Sequence, residues 1–472
     1  MHIAVGNVYS KVLSCIDEED AMLRRILCVP VPNHKFMTAF KNGQWDGMKQ
    51  FYTPVQKTFP TGFLPFIIAQ AHGHKYRVET DDQRQVPGLR DPTRLAELYP
   101  KLREYQLQAL TQMLTHTLQS DNQILPWSRG VLKLVTGGGK TIISASLVDF
   151  LGKKTLYVIE RKELMYQTRA AFQAFTKMSL GFLGDGNEEL GADITFAMAQ
   201  TLRSKFKQLA PFFKSIGCLV IDEVQHLSQG IYHEISTKCP APFRYGVSGT
   251  PLQRGDLGDV YLIADTGEII AEGDREEIEA QGYIATPKVY MFDVMEPQCG
   301  LARMSFKHAY QVGIVENEYR NEMIVTATRK LRDKGCTILI LVRYVEHGRL
   351  LQKMLEHANM RATFIQGSDA TEARQAALQG IGQAFHILIA TAILDEGVDL
   401  PVLDALIRAG GGQSHIKTLQ QVGRVLRPKP GSNTVTVVDF MDKTQKYLLK
   451  HAQERLAAYK EEGFKVFFPV HV

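Results

Sequence analysis

Short apolar runs alternate with helical patterns in two separate stretches of the chain. In the first stretch the runs lie at residues 131–135, 155–159, 194–196, 218–221 and 245–248. In the second stretch they lie at residues 337–342, 362–365, 386–390, 405–407 and 435–438. Fully apolar strands separated by helices are typical of a parallel sheet that helices cover on both faces. The pattern therefore predicts an α/β protein with two tandem parallel-sheet lobes.

The rest of the chain does not show this alternation of apolar runs and helical patterns. The N-terminal residues are predicted to form a separate small α+β domain. Residues 252–320 are rich in turn-forming sequence, such as "GDLGD" and "QGYIATP", which favours an irregular connector. The expected organisation is an N-terminal domain over 1–95, a first lobe over 96–290, a linker over 291–320, a second lobe over 321–450, and a C-terminal helix and tail over 451–472.

Composition and charge narrow the class of protein. The chain has 472 residues, of which 44% are hydrophobic, enough for several folded cores. No apolar run has membrane-spanning length and the N-terminus lacks a secretory pattern, so we expect a soluble, cytoplasmic protein. The six cysteines never form CxxC, which favours reduced core thiols over disulfides or a zinc site. A formal net charge of +5 allows a polyanionic partner without requiring one.

The glycine-rich sequence "TGGGKT" directly follows an apolar run and directly precedes a helical pattern. In that context it predicts a phosphate-binding loop, where backbone N–H groups and a helix N-terminus approach phosphate oxygens. A plain strand-to-helix turn is the alternative, and Leu134 replaces the first glycine of the general pattern. Lys140 would neutralise the β- and γ-phosphates, and Thr141 would ligate magnesium. The residues predicted to hold nucleotide are Thr136, Gly137, Gly138, Gly139, Lys140 and Thr141.

Two adjacent acidic residues, Asp222 and Glu223, follow a later apolar run of the same stretch. Because ligands bind at the carboxyl edge of a parallel sheet, both carboxylates should lie near the phosphate-binding loop. There Asp222 would hold magnesium through water, and Glu223 would orient and deprotonate the attacking water. A surface ion pair is the other interpretation, but it does not explain the position at a strand end.

In the second stretch, "QQVGRVLRP" contains Arg424 and Arg427, whose spacing places both on one helical face. Guanidinium groups suit the transition-state charge on a transferring phosphoryl group. Taken alone, this motif favours a solvated basic helix instead.

Together the motifs resemble the ordered series of the superfamily 2 helicases. The series lies within residues 101–439 and comprises "LREYQLQA", "TGGGKT", "ERKELMYQ", "TFAMAQTL", "DEVQH", "SGTP", "ATAILDEGVDLP" and "QQVGRVLR". The resemblance implies two RecA-like lobes with ATP in the cleft and Mg²⁺ as cofactor. It also implies that Leu134 is no obstacle, since helicase loops often keep only the second half of the glycine pattern.

The resemblance assigns a role to each matched position. The expected nucleotide contacts outside the loop are Gln106, which would read adenine, Gly397 and Asp399. The expected coupling residues between the lobes are Ser248, Thr250 and Gln420, and the expected arginine fingers are Arg424 and Arg427. The expected contacts to nucleic-acid phosphates, which carry no base preference, are Arg161, Thr195, Gln200 and Thr391.

One position departs from the family pattern. Where members carry His or Asp as the fourth residue of the DExH or DExD motif, this chain has Gln225, followed by His226. A glutamine amide both donates and accepts hydrogen bonds, so we expect coupling to survive. Either Gln225 or His226 would make the contact.

Residues 40–59 of the N-terminal domain interleave lysines with aromatic residues and contain a single acid, Asp46. Lysines can neutralise phosphates, while the aromatic rings either stack on bases or fill a small core. The predicted DNA contacts in this segment are Lys41, Trp45 and Lys49.

This segment also carries a more particular resemblance. Its N-x-x-W-D-G sequence, with "GFLPFI", "GYIATPKV" and "RNEMIVTA" further along, is similar to the UvsW-type phage helicases. Those proteins are ATP-driven helicases that unwind branched DNA, and the similar RecG and XPB motors translocate on duplex. The resemblance implies a monomeric DNA helicase that acts on forks, Holliday junctions and R-loops in phage replication, recombination and repair, in the host cytoplasm. Recombination or single-strand-binding proteins are the expected protein partners.

Three other functions share these motifs. A translocating subunit of a nuclease system would need a nuclease domain, and an RNA or RNP remodelling helicase would need appended domains. An ATP-gated clamp would bind nucleic acid and hardly turn over, against which Glu223 and both arginines argue. An ATPase assay with and without nucleic acid separates the clamp from the helicase.

Overall fold

The computed structural model describes residues 1–135, 137–160, 162–222, 229–249, 257–295, 305–391, 403–412 and 434–469. The chain forms two compact units. The first comprises Met1–Val135 and Gly139–Asp274, and the second comprises Thr136–Gly138 and Arg275–Val472. The boundary after Asp274 falls earlier than residue 290, where the first lobe is expected to end.

The N-terminal part of the first unit is built on a small mixed sheet. Its strands are β1 (His2–Val5), β2 (Tyr9–Ser14), β3 (Cys28–Pro30), β4 (Met48–Gln50), β5 (Thr58–Pro60), β6 (Glu79–Asp82), β7 (Thr117–Gln119) and β8 (Ile124–Pro126). Its helices are α1 (Asp17–Ile26), α2 (Thr38–Lys41), α3 (Leu64–Gly73), α4 (Leu95–Leu98) and α5 (Glu104–Thr115), with short 3₁₀ segments at His34–Phe36, Thr61–Phe63 and Pro92–Arg94. The sheet has the order β5-β2-β1-β6, and β3-β4 and β7-β8 form separate antiparallel pairs.

The α+β character expected at the N-terminus is present, but this part is packed onto the first lobe. Phe59 and Leu64 share a buried apolar cluster with Trp127 and Ala264. Asn7 donates from Nδ2 to the Pro240 carbonyl oxygen at 2.9 Å. Residues of the first lobe therefore take part in the apolar core of the N-terminal part.

The first lobe is a parallel sheet flanked by helices. Its strands are β9 (Arg129–Lys133), β10 (Thr155–Ile159), β11 (Leu180–Gly184), β12 (Asn187–Glu188), β13 (Ile194–Met198), β14 (Cys218–Asp222), β15 (Phe243–Ser248) and β16 (Ile269–Glu272). Its helices are α6 (Lys140–Leu151), α7 (Lys162–Gln173), α8 (Ala199–Ser204), α9 (Ala210–Ser215), α10 (Gln229–Lys238) and α11 (Leu257–Asp265). The order is β12-β11-β13-β10-β14-β15-β9-β16, with only the edge pair β11-β12 antiparallel among these strands.

The second unit contains a parallel sheet of its own. Its strands are β17 (Thr286–Val294), β18 (Ile338–Leu341), β19 (Thr363–Ile365), β20 (Ile387–Ala390), β21 (Ala405–Arg408), β22 (Thr434–Asp442) and β23 (Lys465–Phe467). Its helices are α12 (Arg275–Ala280), α13 (Phe306–Tyr310), α14 (Glu318–Asp333), α15 (Val345–His357), α16 (Thr371–Gly380) and α17 (Lys446–Glu461), with a π-helical turn at Gln311–Val315. The order is β19-β20-β18-β21-β22-β17-β23. The predicted α/β class with two parallel-sheet lobes is confirmed.

The prediction of an irregular connector over 252–320 is wrong for much of its length. Strand β17 pairs in parallel with β22 along nine residues, and β16 extends the first sheet beside β9. Positions in β17 alternate between partly and fully buried at its start, the period of two typical of a strand. Charged residues such as Lys288 and Asp293 interrupt the apolar run, so the apolar pattern does not predict strand β17.

The structure shows no disulfide bond at the cysteines that it describes, which are Cys15, Cys28, Cys218, Cys239 and Cys336. Burial raises the pKa of the Cys239 thiol to about 11, so it stays protonated at neutral pH. Within the described residues, no helix combines the length and apolar character needed to cross a membrane.

Candidate functional site

The candidate site lies at the carboxyl edge of the first sheet, where three neighbouring strands end together. Strands β14, β15 and β9 are adjacent and parallel, so their carboxyl ends share one edge. Asp222 pairs in register with Val247, and Ser248 pairs with Lys133. The ends of β14 and β9 therefore lie at the same edge of the sheet, with β15 between them.

The glycine-rich loop uses backbone conformations that side chains disfavour. Gly137 and Gly139 have φ values of 85° and 90°. Gly139 is the N-cap of α6, whose first residue is Lys140. A helix N-terminus carries partial positive charge and free N–H groups, which suits phosphate. Lys140 donates from Nζ to the Leu134 carbonyl oxygen at 3.4 Å, so its ammonium group lies over this loop.

Gln106 packs directly against the loop. Its Oε1 accepts a hydrogen bond from the Arg103 backbone N–H at 3.0 Å, which caps α5, and its Nε2 lies 3.4 Å from the Tyr105 hydroxyl. A Cβ on Gly139 would lie 2.3 Å from Nε2, so a side chain at position 139 would displace this amide. The residue predicted to read adenine is therefore next to the residues predicted to hold phosphates.

Leu134 connects the loop strand to the neighbouring strand. Its backbone N–H donates to the Ser248 carbonyl oxygen at 3.0 Å, and both side chains are fully buried. Position 134 thus belongs to the sheet edge, where an apolar side chain fills the core. Ser248, predicted to couple the lobes, lies at the same edge.

Asp222 is the described member of the predicted acidic pair. Its side chain is partly exposed at the end of β14, and its carbonyl oxygen accepts a hydrogen bond from the Tyr232 hydroxyl at 3.1 Å. Tyr232 lies on α10 and fixes the backbone where β14 ends. Sequence reasoning missed this tyrosine, since no motif marks it.

Several predicted site residues lie outside the described residues. They are Thr136, Arg161, Glu223, Gln225, His226, Thr250, Gly397, Asp399, Gln420, Arg424 and Arg427.

The predicted phosphate-tracking residues differ in accessibility. Gln200 is exposed in the first turn of α8, directly after β13, and so lies at the same sheet edge. The structure disagrees with the predicted phosphate contact of Thr195, because Thr195 is fully buried near the start of β13 and away from that edge. Thr391 follows β20 in the second unit and is only 8% exposed.

In the N-terminal part, the predicted contacts cluster on the β3-β4 hairpin. Lys41 is exposed on α2. Trp45 is half-buried, and its indole N–H donates to the Met48 carbonyl oxygen at 2.8 Å. Lys49 places Nζ 5.9 Å from the ring centres of both Phe51 and Tyr261. Lys41 is therefore free to approach a phosphate, while Trp45 and Lys49 also stabilise the hairpin.

The other aromatic residues of this segment belong to the core. Phe51, Tyr52 and Phe59 are at most 6% exposed. The Tyr52 hydroxyl donates to Asp20 Oδ1 at 2.6 Å, and burial together with this carboxylate raises the pKa of the Tyr52 phenol. Of the two interpretations of these rings, core packing is confirmed for these three.

Comparison with known proteins agrees with this geometry. Residues 99–253 match the family model described as type III restriction enzyme, res subunit, and residues 319–429 match the helicase conserved C-terminal domain. A solved fragment of a putative type I restriction enzyme HsdR subunit from Vibrio vulnificus has the same fold, with a TM-score of 0.57, 16% identity and coverage of 90% of this chain and 75% of that one. The chain belongs to the superfamily 2 helicases, which are ATP-driven enzymes.

Within that superfamily the chain is UvsW-like. It is 24% identical to the ATP-dependent DNA helicase uvsW of Enterobacteria phage T4, over 96% of this chain and 95% of that protein. It is also 22% identical to putative helicase 22 of a Sulfolobus islandicus filamentous virus, over 72% of this chain. The match spans 64% of the length of that viral relative.

Proposed function

We propose that the chain is an ATP-dependent DNA helicase that unwinds and branch-migrates branched DNA, such as forks and Holliday junctions, in phage replication, recombination and repair. The observation that carries the proposal is that Gln106 packs against Gly139 while Asp222 lies at the end of a strand of the same sheet, in a chain similar along its length to a DNA helicase.

ATP fits the residues at this edge. The positive φ angles of Gly137 and Gly139 let backbone N–H groups turn toward an anion, and Lys140 supplies a mobile positive charge. Gln106 lies beside the loop with an amide that both donates and accepts, which suits the edge of adenine. Magnesium, held by Thr141 and through water by Asp222, would neutralise phosphate charge.

Hydrolysis then depends on positioning rather than covalent chemistry. Glu223, next to Asp222 in the sequence, orients and deprotonates the attacking water. Arg424 and Arg427 supply positive charge to the transferring phosphoryl group. Gln225 or His226, with Ser248, Thr250 and Gln420, passes the nucleotide state to the other lobe.

The residues proposed to contact DNA bind its sugar-phosphate backbone and not its bases. Gln200 is exposed at the same edge as the nucleotide loop, and Lys41 is exposed on the hairpin of the N-terminal part. Such contacts position a strand without reading its sequence. The N-terminal part is packed onto the first lobe, so its position relative to that lobe is fixed. It would contact DNA at the branch point.

Strand displacement on three substrates of matched sequence tests the proposal: a fork, a four-way junction and a linear duplex. The expected result is ATP-dependent opening of the two branched substrates and little opening of the linear duplex. A Glu223→Gln variant should bind the same DNA and open none of them. Equal opening of the linear duplex would contradict the branched-DNA assignment.

A translocating subunit of a nuclease system is the second candidate, because the model matching residues 99–253 is described as a restriction enzyme subunit. That function predicts movement along intact duplex without strand separation. Displacement of a triplex-forming strand from linear duplex, with no opening of the fork, would favour it.

A further inference from the structure

The connection between β3 and β4 is a compact loop built from residues 31–47. A backbone hydrogen bond from the Val31 N–H to the Gly47 carbonyl oxygen at 2.8 Å closes the loop at its base, and one from the Gln44 N–H to the Ala39 carbonyl oxygen at 2.9 Å lies inside it. It contains the 3₁₀ segment His34–Phe36 and helix α2. The loop is therefore ordered by its own hydrogen bonds.

His34 forms the centre of this loop. Its Nδ1 lies 2.7 Å from the Val31 carbonyl oxygen, and its ring meets the Phe40 ring edge-on at 4.8 Å. A Cβ on Gly47 would lie 2.5 Å from His34 Cδ2, so the imidazole packs flat against the glycine. Gly47 also has a φ of 79°, which favours glycine at this turn.

The Phe36 side chain is largely exposed to solvent and does not belong to the packing around His34. Its side chain is 77% exposed, more than any other exposed Phe, Tyr or Trp in the described part of the chain, and the adjacent Met37 is 44% exposed. An isolated exposed apolar residue needs no explanation, but two adjacent ones on an ordered loop form a small patch. Because the loop already has a core, Phe36 is not needed to hold it together.

The charge around Phe36 selects the chemistry of a partner. Lys35 and Lys41 are exposed in the same loop. Asp46 is the only acidic residue in 31–47, and its Oδ1 accepts a hydrogen bond from the Met48 N–H at 2.9 Å. An exposed ring flanked by lysines matches a nucleic-acid strand, whose phosphates bind the cations while a base stacks on the ring.

The hairpin is also fixed to the first lobe. Phe51, which directly follows β4, meets Tyr261 of α11 edge-on at 5.1 Å, and Lys49 lies over the same tyrosine. A base held by the loop would therefore be held in a constant position relative to the first lobe. That is the geometry needed to keep a separated strand from re-pairing while the other strand is moved.

We propose that Phe36 is a base-stacking residue that holds an unpaired nucleotide at the branch point, with Lys35 and Lys41 contacting its flanking phosphates. This inference rests on the proposed DNA-helicase function and adds a strand-holding site to it. Phe36 lies outside both the nucleotide site and the segment of residues 40–59.

The test uses the full chain and a fork carrying 2-aminopurine as the first unpaired base, whose fluorescence falls on stacking. The variants are Phe36→Leu, which removes the ring, and Phe36→Trp, which keeps one. Phe66→Leu is the matched control, since Phe66 is 41% exposed on α3 in the same part of the chain. Quenching is measured without ATP, and fork opening and ATP hydrolysis at saturating DNA are measured separately.

Phe36→Leu is expected to lose the quenching, to bind the fork about 5- to 100-fold more weakly, and to open it more slowly, while hydrolysing ATP normally at saturating DNA. Phe36→Trp and Phe66→Leu should behave like the unchanged protein. Quenching that survives in Phe36→Leu would overturn the contact. So would normal fork opening accompanied by loss of self-association on sedimentation, which would identify Phe36 as a protein contact.

The contact and the proposed function fail separately in this design. Ring-dependent quenching by a protein that does not hydrolyse ATP in response to DNA would support the contact and overturn the helicase function. Hydrolysis of ATP that DNA stimulates, together with quenching that does not depend on the Phe36 ring, would support the helicase function and overturn the contact.

Discussion

The two units both bury arginine side chains, but they satisfy them in different ways. In the first unit, Arg129 and Arg244 are 1% exposed and donate mainly to backbone carbonyl oxygens, including that of Asp265 at 2.8 and 3.0 Å. In the second unit, Arg455 forms a two-point ion pair with Asp439 at 2.9 and 3.0 Å, and Arg320 pairs with Asp442 at 2.8 Å.

The carbonyl-bound arginines join parts of the first unit. Arg129 also donates to the Asn7 carbonyl oxygen at 3.0 Å, so it connects the N-terminal part to β9. Burial, followed by the nearby Arg244 and Arg84 charges, lowers the pKa of the Arg129 guanidinium.

The ion pairs of the second unit instead hold a loop at its sheet edge. Arg320 donates to the Ala409 carbonyl oxygen at 2.6 Å, and Arg455 donates to that of Gly412 at 2.9 Å. The Tyr310 hydroxyl donates to the Gly410 carbonyl oxygen. These residues lead in the sequence toward Gln420, Arg424 and Arg427. The buried arginines of the first unit therefore join its two parts, whereas those of the second unit fix the backbone of residues 409–412.

The largest expected effect is that of Asp439→Asn. It leaves Arg455 and Arg408 buried without their shared carboxylate, so the second unit should lose about 3–5 kcal/mol of unfolding free energy. Hydrogen exchange of β21 and β22 measures this within the unit. The control is Asp293→Asn, whose carboxylate pairs with Lys443 at 2.6 Å on the surface and is worth at most about 1 kcal/mol. Equal losses in the two variants would contradict the account.

Arg129→Met should have a smaller effect on the first unit. It leaves carbonyl oxygens unsatisfied but also removes a buried charge, so we expect a loss of about 1–3 kcal/mol. Faster hydrogen exchange should appear in β1 and β9 and leave β22 unchanged. A loss as large as that of Asp439→Asn would show that carbonyl-bound and carboxylate-bound arginines are equivalent here.

Gln106→Glu tests the predicted adenine contact at the carboxyl edge of the first sheet. Glutamate keeps the acceptor for the Arg103 N–H and so keeps the cap of α5, but it loses the donor that faces Gly139. The KM for ATP should rise about 5- to 10-fold and the preference for ATP over GTP should fall. The free energy of unfolding should also fall somewhat, because position 106 is only 3% exposed and the new carboxyl group is buried. Unchanged nucleotide preference would remove Gln106 from the adenine site.

The smallest expected effect is a difference in acid sensitivity. Burial alone would raise the pKa of the Asp439 carboxyl group, but Arg455 and Arg408 outweigh burial and hold the pKa below its usual value. This carboxylate therefore stabilises the second unit above its usual pKa of about 4, and the contribution is lost as the pH falls through the lowered value. The protection factors of the β22 amides, corrected for the intrinsic pH dependence of hydrogen exchange, should fall on acidification more steeply in the unchanged protein than in Asp439→Asn. Equal slopes would exclude Asp439 as the cause.

The apolar pattern predicted most of the fold. Strands such as β10 and β14 are buried on both faces, so their apolar runs are unambiguous in the sequence. The apolar pattern did not predict β16 and β17, because both strands contain charged or half-exposed residues. It also could not show that the N-terminal part shares a core with the first lobe, because that depends on contacts between distant residues such as Phe59 and Trp127.

The candidate site was predicted in part. The glycine loop, Gln106 and Asp222 are recognisable because their chemistry requires particular residues at a strand end or helix start. Thr195 was misplaced because a motif does not show which strand positions are buried. Phe36 escaped notice because exposure of a single ring is a tertiary property. The placement of Glu223, Arg424 and Arg427 stays a prediction.

The central claim is that the glycine-lined edge of the first unit hydrolyses ATP in response to DNA. It is tested most directly by steady-state ATP hydrolysis of the full chain, with and without fork DNA, beside the Lys140→Ala variant. The account predicts stimulation by the fork in the unchanged protein and a fall of at least about 100-fold in the variant, with its hydrogen exchange unchanged. Hydrolysis that ignores DNA, or that survives Lys140→Ala, would contradict it.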